Sequence, residues 1–231
     1  MRRMGASYGQ FCPVAKAMEL LDERWTMLVV RELLFGSTRF NEIRRGVPRM
    51  SPALLSTRLT HLTKAGIVER RAHGRDVEYV LTPAGRELEP VVEALGVWGV
   101  RWAGKPADGD YDPKLLMWDM HRNVDHTAVP PGRTVVHFRF PERRGAGSAW
   151  WMTITPDDAD VCDYDPGHDV GVTVTTAVRT LTDVWMGEIT WAAAQRSGLL
   201  EPSGPAALRR ALPRWFPPTG AALVPRPAAV G

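Results

Sequence analysis

Residues 36–85 set the architecture of this chain, and they read GSTRFNEIRRGVPRMSPALLSTRLTHLTKAGIVERRAHGRDVEYVLTPAG. The segment Arg39–Arg45 has the apolar spacing of a short helix. Ser51-Pro52 predicts a helix start, because serine caps helices and proline suits the first helical position. Gly66 ends this helix, and a strand-like pair with its tip at Ala72–Asp76 follows. The order is therefore two short helices and then a hairpin.

The helix that begins at Ser51 has two unlike faces. Leu55, Leu59 and Leu62 recur at helical spacing, so we expect them to be buried. The opposite face carries small or polar side chains, which leave the helix thin enough for a DNA major groove about 12 Å wide. Such a helix followed by a basic hairpin is typical of a winged helix-turn-helix domain.

This arrangement predicts a set of DNA contacts on the helix, beside it and on the hairpin. Hydroxyl groups on the helix face can bond to phosphates or base edges, and flanking arginines suit phosphates. The candidate DNA-binding residues are Arg44, Arg45, Arg49, Ser51, Ala53, Ser56, Thr57, Arg58, Thr60, Lys64, Arg71 and Arg75.

Further helices are expected on both sides of this region. One begins near Pro13, and the next spans about Arg24–Leu34, with Trp25 and Leu28 on its apolar stripe. A long helix is expected from Thr82-Pro83 to about Ala103. Its apolar face exceeds what a small domain can cover, which predicts a homodimer contact.

Length and composition fit a globular protein with one large domain or two small ones. The chain has 231 residues, 44% of them hydrophobic, and shows neither a secretory signal nor a membrane-length apolar run. Its two cysteines, Cys12 and Cys162, favour a reducing, cytoplasmic location and argue against a disulfide framework. Residues 1–105 carry 17 Lys and Arg against 11 Asp and Glu, whereas residues 106–231 carry 12 against 15. A polyanion such as double-stranded DNA is therefore expected to bind the first half.

The expected organisation has two domains and a tail. Residues 1–104 form the winged-helix domain, 105–112 a linker, 113–216 an α+β domain with an antiparallel or mixed sheet covered by helices, and 217–231 a disordered tail. Within the second domain we expect helices at 114–123, 177–184, 187–196 and 205–212, and strands at 134–140, 149–155, 161–164 and 170–175.

Several motifs of the first hundred residues, taken in order, closely resemble the HxlR family of bacterial transcription regulators. They are CPVAKA (12–17), RW (24–25), LLFG (33–36), RFNEI (39–43), SP (51–52), LSTRL (55–59), GIVER (66–70) and LTPAG (81–85). The resemblance implies a winged-helix homodimer on an operator with two similar half-sites, controlled by a small effector or a redox signal. The hairpin tip Ala72–Asp76 departs from the proline-containing tip of many relatives.

Cys12 occupies a position at which several members of the resembled family sense oxidants or electrophiles. That chemistry needs a thiolate, which the N-terminus of a helix favours. The alternative is a buried thiol that packs like a small hydrophobic side chain. Loss of operator binding on oxidation would distinguish the two.

The last half of the chain resembles, more loosely, the sterol-carrier-protein-like lipid-binding fold. The segments that carry the likeness are 161–170, 180–187 and 206–215. The resemblance implies a cavity for a fatty, isoprenoid or sterol-like effector. The alternative, which the amino-acid composition alone favours, is a solid hydrophobic core without a cavity. The candidate pocket residues are Trp118, Val136, Phe138, Trp150, Met152, Val172 and Trp185.

Enzyme signatures are absent from the sequence. Ser148 lacks a Gly-x-Ser-x-Gly setting, and neither a P-loop nor a dinucleotide fingerprint is present. His121 and Asp125 are four residues apart, but one pair at this spacing is common by chance and does not indicate a metal site. The aspartates of 157–165 lack the spacing of an EF-hand calcium loop. We therefore predict neither enzymatic activity nor a metal or other cofactor.

The sequence predicts a cytoplasmic, dimeric transcription regulator that binds double-stranded DNA, has no membrane contact and responds to an apolar small molecule. The alternative is a lipid or small-molecule binding protein whose winged helix serves dimerisation or partner contact. A steep loss of DNA affinity with salt would support the first.

Overall fold

The computed structural model describes residues 7–225, and the chain divides between Gly96 and Val97 into two compact units. The first unit is mainly helical with one hairpin, and a final helix continues across the division. The elements are α1 (Pro13–Leu21), α2 (Thr26–Leu34), α3 (Phe40–Gly46), α4 (Pro52–Lys64), β1 (Val68–His73), β2 (Asp76–Leu81), α5 (Pro83–Arg86) and α6 (Glu89–Trp102).

The first unit has one hydrophobic core, in which the leucines of α4 are central. Leu55, Leu59 and Leu62 are buried as predicted, and they pack with apolar residues of α2, α3 and the hairpin. The hairpin is antiparallel and pairs His73 with Asp76, so its tip is shorter than the predicted 72–76. This unit is therefore a winged helix-turn-helix.

Three expectations for this unit are corrected by the structure. Trp25 has a left-handed backbone (φ 79°) and precedes α2, and Leu28 is exposed. The expected helix from Thr82 to Ala103 is two helices, α5 and α6, separated at residues 87 and 88. Gly85 lies so close to the Ile67 carbonyl that any Cβ there would overlap it, which fixes the short helix α5 against the hairpin.

The second unit contains a mixed sheet with helices, as expected, and the sheet has five strands, one more than predicted. Its elements are α7 (Pro113–Arg122), β3 (Thr134–Arg139), β4 (Ala149–Ile154), β5 (Ala159–Cys162), β6 (Val172–Thr176), α8 (Val178–Trp185), α9 (Trp191–Arg196), β7 (Leu200–Ser203) and α10 (Ala206–Trp215). The strand order is β5-β4-β3-β6-β7, and only the central pair β3 and β6 is parallel. A single hydrophobic cluster joins one sheet face to the helices.

Sequence patterns placed most of these elements and missed some details. Strand β7 was not expected, β5 begins two residues earlier than predicted, and α9 begins at Trp191 rather than Gly187. The tail after residue 216 was expected to be disordered, yet residues 220–223 form a 3-10 turn. The remainder of that prediction, residues 226–231, lies outside the described residues.

Candidate nucleic-acid interface

Hydrogen bonds cap the start of α4 and hold the end of the preceding helix, α3. Ser51 Oγ accepts the Leu54 N–H at 3.3 Å, which is the predicted cap. On α2, Glu32 is fully buried and accepts two hydrogen bonds from the Arg31 guanidinium, at 3.0 and 2.7 Å. Arg31 also donates to the Gly46 carbonyl at 3.0 Å, so α2 holds the end of α3. The chain therefore enters α4 from a fixed position.

The hairpin is joined to the start of α3. The Tyr79 N–H of β2 donates to the Thr38 carbonyl at 2.8 Å, and Arg39 forms an isolated bridge with Glu78. Glu42 accepts the Thr38 and Arg39 N–H groups at 2.9 and 3.0 Å, which caps α3. The turn, α3 and the wing are thus one hydrogen-bonded body.

The outer face of α4 is exposed and is built from small side chains. Ala53, Ser56, Thr57 and Thr60 are all exposed, opposite the buried leucines. Thr57 donates its hydroxyl proton to the Ala53 carbonyl at 3.0 Å, and Thr60 donates to the Ser56 carbonyl at 2.9 Å. Because these protons are used within the helix, both threonines present methyl groups and acceptor lone pairs to the outside.

Arg58 is placed differently from the other candidate residues of α4. Its side chain is only 13% exposed, it pairs with the Glu23 carboxylate, and its Nε donates to the Arg24 carbonyl at 3.1 Å. His61 Nδ1 lies 3.6 Å from the same carboxylate. These groups border a cleft of about 40 Å³, far below the size of a small-molecule site. The guanidinium of Arg58 therefore holds α4 to the loop before α2.

Cationic side chains border the outer face at both ends. Arg44, Arg45 and Arg49 are exposed before α4, and Lys64 is exposed at its last turn. In the wing, Arg75 is exposed at the tip, whereas Arg71 pairs with Glu69 at 2.8 Å. Arg70 of β1 is also exposed, and sequence reasoning missed it. Counting basic side chains on both faces of the hairpin would have found it.

Helix α6 has no buried residue and exposes a continuous apolar stripe. The stripe consists of Val91, Leu95, Trp98 and Trp102, which recur at helical spacing and are 43–59% exposed. Large contiguous apolar surfaces of this kind mark interaction sites.

The two cysteines are free and have different surroundings. Cys12 lies at the N-cap of α1, as the sequence predicted, and its side chain is partly exposed. Burial raises the pKa of the Cys162 thiol, and the nearby carboxylates Asp160, Asp163 and Asp165 raise it further, although a backbone hydrogen bond from Tyr164 lowers it.

All seven candidate pocket residues are buried in the hydrophobic cluster of the second unit: Trp118, Val136, Phe138, Trp150, Met152, Val172 and Trp185. Trp185 Nε1 donates to Asp119 at 2.8 Å. The indole N–H groups of Trp150 and Trp191 are buried and have no acceptor within residues 7–225. Over the same residues, no three His, Cys, Asp or Glu side chains are arranged to hold a metal ion. None of the described helices combines the length and apolarity that crossing a bilayer requires.

Comparison with known proteins identifies the family of the first unit. A family model described as HxlR-like helix-turn-helix matches residues 20–106. The uncharacterized HTH-type transcriptional regulator YvaP of Bacillus subtilis is 37% identical over 97 residues, which are 40% of this chain and 90% of that protein. The chain belongs to the HxlR-like helix-turn-helix family. The family resemblance expected from the motifs is thereby confirmed for about the first hundred residues.

Other HxlR-like relatives match over a similar length. An uncharacterized HTH-type transcriptional regulator of Mycobacterium tuberculosis is 40% identical over 98 residues, covering 40% of this chain and 60% of that protein. Among solved structures, the oxidized form of the redox regulator HypR is 32% identical, with a TM-score of 0.38, and is matched over 42% of this chain and its own full length. These matches span about two fifths of the chain.

Proposed function

We propose that this protein is a dimeric transcription regulator that binds operator DNA through α4 and the β1–β2 wing. The observation that carries the proposal is the exposed small-residue face of α4, which three buried leucines orient outward and arginines border. A helix of this profile fits the major groove, and flanking arginines can neutralise phosphates. The HTH-type transcriptional regulators among the relatives support the same use.

The test is the salt dependence of DNA binding. An operator can be selected from a random duplex pool, and affinity can then be measured by fluorescence anisotropy between 50 and 200 mM salt, a range in which about 6–10 phosphate contacts would cost about 10³–10⁵-fold. Arg44→Ala, Arg70→Ala and Arg75→Ala should each reduce the salt slope by about 0.9. Arg144→Ala removes the same charge from the second unit and should leave the slope unchanged. Salt-insensitive binding would favour the alternative, a small-molecule carrier.

The apolar stripe of α6 supports a homodimer. A second copy of α6 would cover Val91, Leu95, Trp98 and Trp102 and would place two α4 helices on two half-sites. Trp98→Glu should convert the dimer to a monomer in light scattering while the helical circular dichroism stays unchanged. If Trp98→Glu remains a dimer in light scattering, the apolar stripe of α6 is not the dimer interface.

The second unit is proposed to bind an apolar effector in a sterol-carrier-like fold. Its mixed sheet with a helix-covered apolar face supports that fold. Leaving a buried N–H without an acceptor costs about 1–3 kcal/mol, and an effector oxygen could accept from Trp150 or Trp191. Mass spectrometry of the extracted protein should find an oxygen-bearing apolar compound. A clean extract, with no shift in operator affinity on adding fatty acids or isoprenoids, would contradict this part.

Cys12 is kept as a candidate redox sensor, at the start of α1. Oxidation should lower operator affinity in the wild type and leave Cys12→Ser unaffected. Equal losses in both proteins would remove Cys12 from the mechanism.

The regulator is further proposed to act in the cytoplasm, without catalytic activity and without membrane contact.

A further inference from the structure

Four arginines gather on the last two helices of an otherwise acidic region. They are Arg196 of α9 and Arg209, Arg210 and Arg214 of α10, and all four are exposed. Glu201 is the only carboxylate in residues 190–216, although residues 106–231 carry more acidic than basic side chains. The ion pairs found within residues 7–225 use none of these four guanidiniums. A local excess of positive charge therefore faces solvent.

Part of this surface is concave. Gln195, Ala206, Arg209, Arg210 and Pro213 line a groove of about 330 Å³ between α9 and α10. This volume lies at the lower end of the range for small-molecule sites, about 300–1,000 Å³. The two guanidiniums and the amide supply only hydrogen-bond donors and one amide oxygen, so the groove has the chemistry of an anion site.

The backbone that carries the groove is firmly anchored. On α10, Leu212 and Trp215 are buried, and Trp215 Nε1 donates to the Ala128 carbonyl at 2.8 Å. On α9, Trp191 and Ala194 are buried, and Thr190 caps the helix by accepting the Ala193 N–H at 3.1 Å. The arginines thus project from two helices that are fixed to the same core.

We propose that the α9–α10 groove binds a small molecule through a phosphate group. Guanidinium groups bind phosphate oxygens in pairs of parallel charge-assisted hydrogen bonds, and two adjacent arginines can hold a group with two or more charges. The groove is a short depression lined by five residues, and its volume of about 330 Å³ suits a single small ligand rather than the extended backbone of a nucleic acid. Through this site the regulator would respond to an anionic ligand in addition to the proposed apolar effector. The proposal for this site does not depend on whether α4 binds DNA.

The test uses the full-length chain and inorganic pyrophosphate as the probe. Isothermal titration at constant ionic strength should show saturable binding to the wild type, and Arg209→Gln with Arg210→Gln should weaken it at least ten-fold. The matched control, Arg139→Gln with Arg144→Gln, removes the same charge from exposed positions elsewhere in the unit and should retain wild-type binding. Unchanged melting curves would show that both double variants are folded.

The source of the phosphate is separated in two further arms. If the protein binds phosphatidic acid vesicles and pyrophosphate displaces them, the natural ligand is a lipid headgroup. If the protein binds pyrophosphate but not the vesicles, the ligand is a soluble metabolite. Either result supports the site. Equal loss in the two double variants would overturn it, since net charge alone would then explain binding. Displacement of pyrophosphate by non-specific duplex DNA, with the same dependence on Arg209 and Arg210, would overturn it in favour of a DNA contact.

Discussion

Adding one carbon atom at Gly46 should selectively destabilise the DNA-binding unit. A Cβ at this position would overlap the carboxylate of Glu32, which is fully buried beside the end of α3. Gly46→Ala therefore has to displace the carboxylate from its hydrogen bonds with Arg31, which are 3.0 and 2.7 Å long. Disrupting a buried ion pair costs about 3–5 kcal/mol, and partial relaxation should leave a loss near the lower figure.

The expected loss translates into a large shift of the melting temperature. For a domain of 60–100 residues, each kcal/mol lowers the melting temperature by about 4–8 °C, so the first unit should melt roughly 12–24 °C earlier. Six of the nine tryptophans lie beyond α6, so tryptophan fluorescence reports mainly on the second unit. Far-ultraviolet circular dichroism reports on both units. We expect an early transition in circular dichroism that fluorescence does not follow.

Two controls make this prediction specific. Gly109→Ala places its Cβ in open space and should melt like the wild type. Glu32→Ala with Gly46→Ala removes the overlap, so the double variant should be less destabilised than the sum of the single ones. A Gly46→Ala protein within 0.5 kcal/mol of the wild type, about the size of ordinary surface effects, would refute the argument.

Three shorter predictions follow from other contacts. Arg58→Gln should lower the melting temperature of the first unit, because it breaks the contacts with Glu23 and the Arg24 carbonyl, and it should leave the salt slope of DNA binding unchanged; a shallower slope would put Arg58 on the DNA. Cys162 should be alkylated more slowly at pH 8 than N-acetylcysteine, because its pKa is raised chiefly by burial. The rate can be followed by mass spectrometry in Cys12→Ser, in which Cys162 is the remaining cysteine, and alkylation faster than that of N-acetylcysteine would contradict this prediction. Burial lowers the pKa of His137, so the unfolded chain binds the proton more readily; stability of the second unit should fall as the pH drops through about 6.5, the ordinary histidine value, and His137→Gln should flatten this dependence in fluorescence-detected melting.

Sequence patterns predicted those parts of the first unit that local chemistry controls. The Ser51 cap and the buried leucines of α4 depend on residues within a few positions of each other, and both are confirmed. The sequence also indicates the face of α4 on which Arg58 lies. Arg58 is three residues after Leu55 and four before Leu62, which places it at the edge of the buried leucine stripe. The positive charge of Arg58 led to the prediction of a DNA contact, whereas its position in the helix places it beside the hydrophobic core.

Other features depended on tertiary contacts that no local pattern contains. The close packing of Gly85 against the Ile67 carbonyl joins residues 18 positions apart in the chain. Strand β7 contains Pro202, which lacks an N–H and argues against a strand, yet it pairs as an edge strand with β6. The hydroxyl bonds of Thr57 and Thr60 depend on rotamers, so the sequence could indicate a polar face and not which atoms it presents.

The two faces of α4 separate folding from target choice. Leu55, Leu59 and Leu62 are buried in the core of the unit, whereas Thr57 and Thr60 are exposed and form hydrogen bonds within α4 itself. Exchanges at the two threonines therefore cost little in folding free energy. Under the proposed function, a lineage of such regulators can drift to new operators one substitution at a time while every intermediate remains folded.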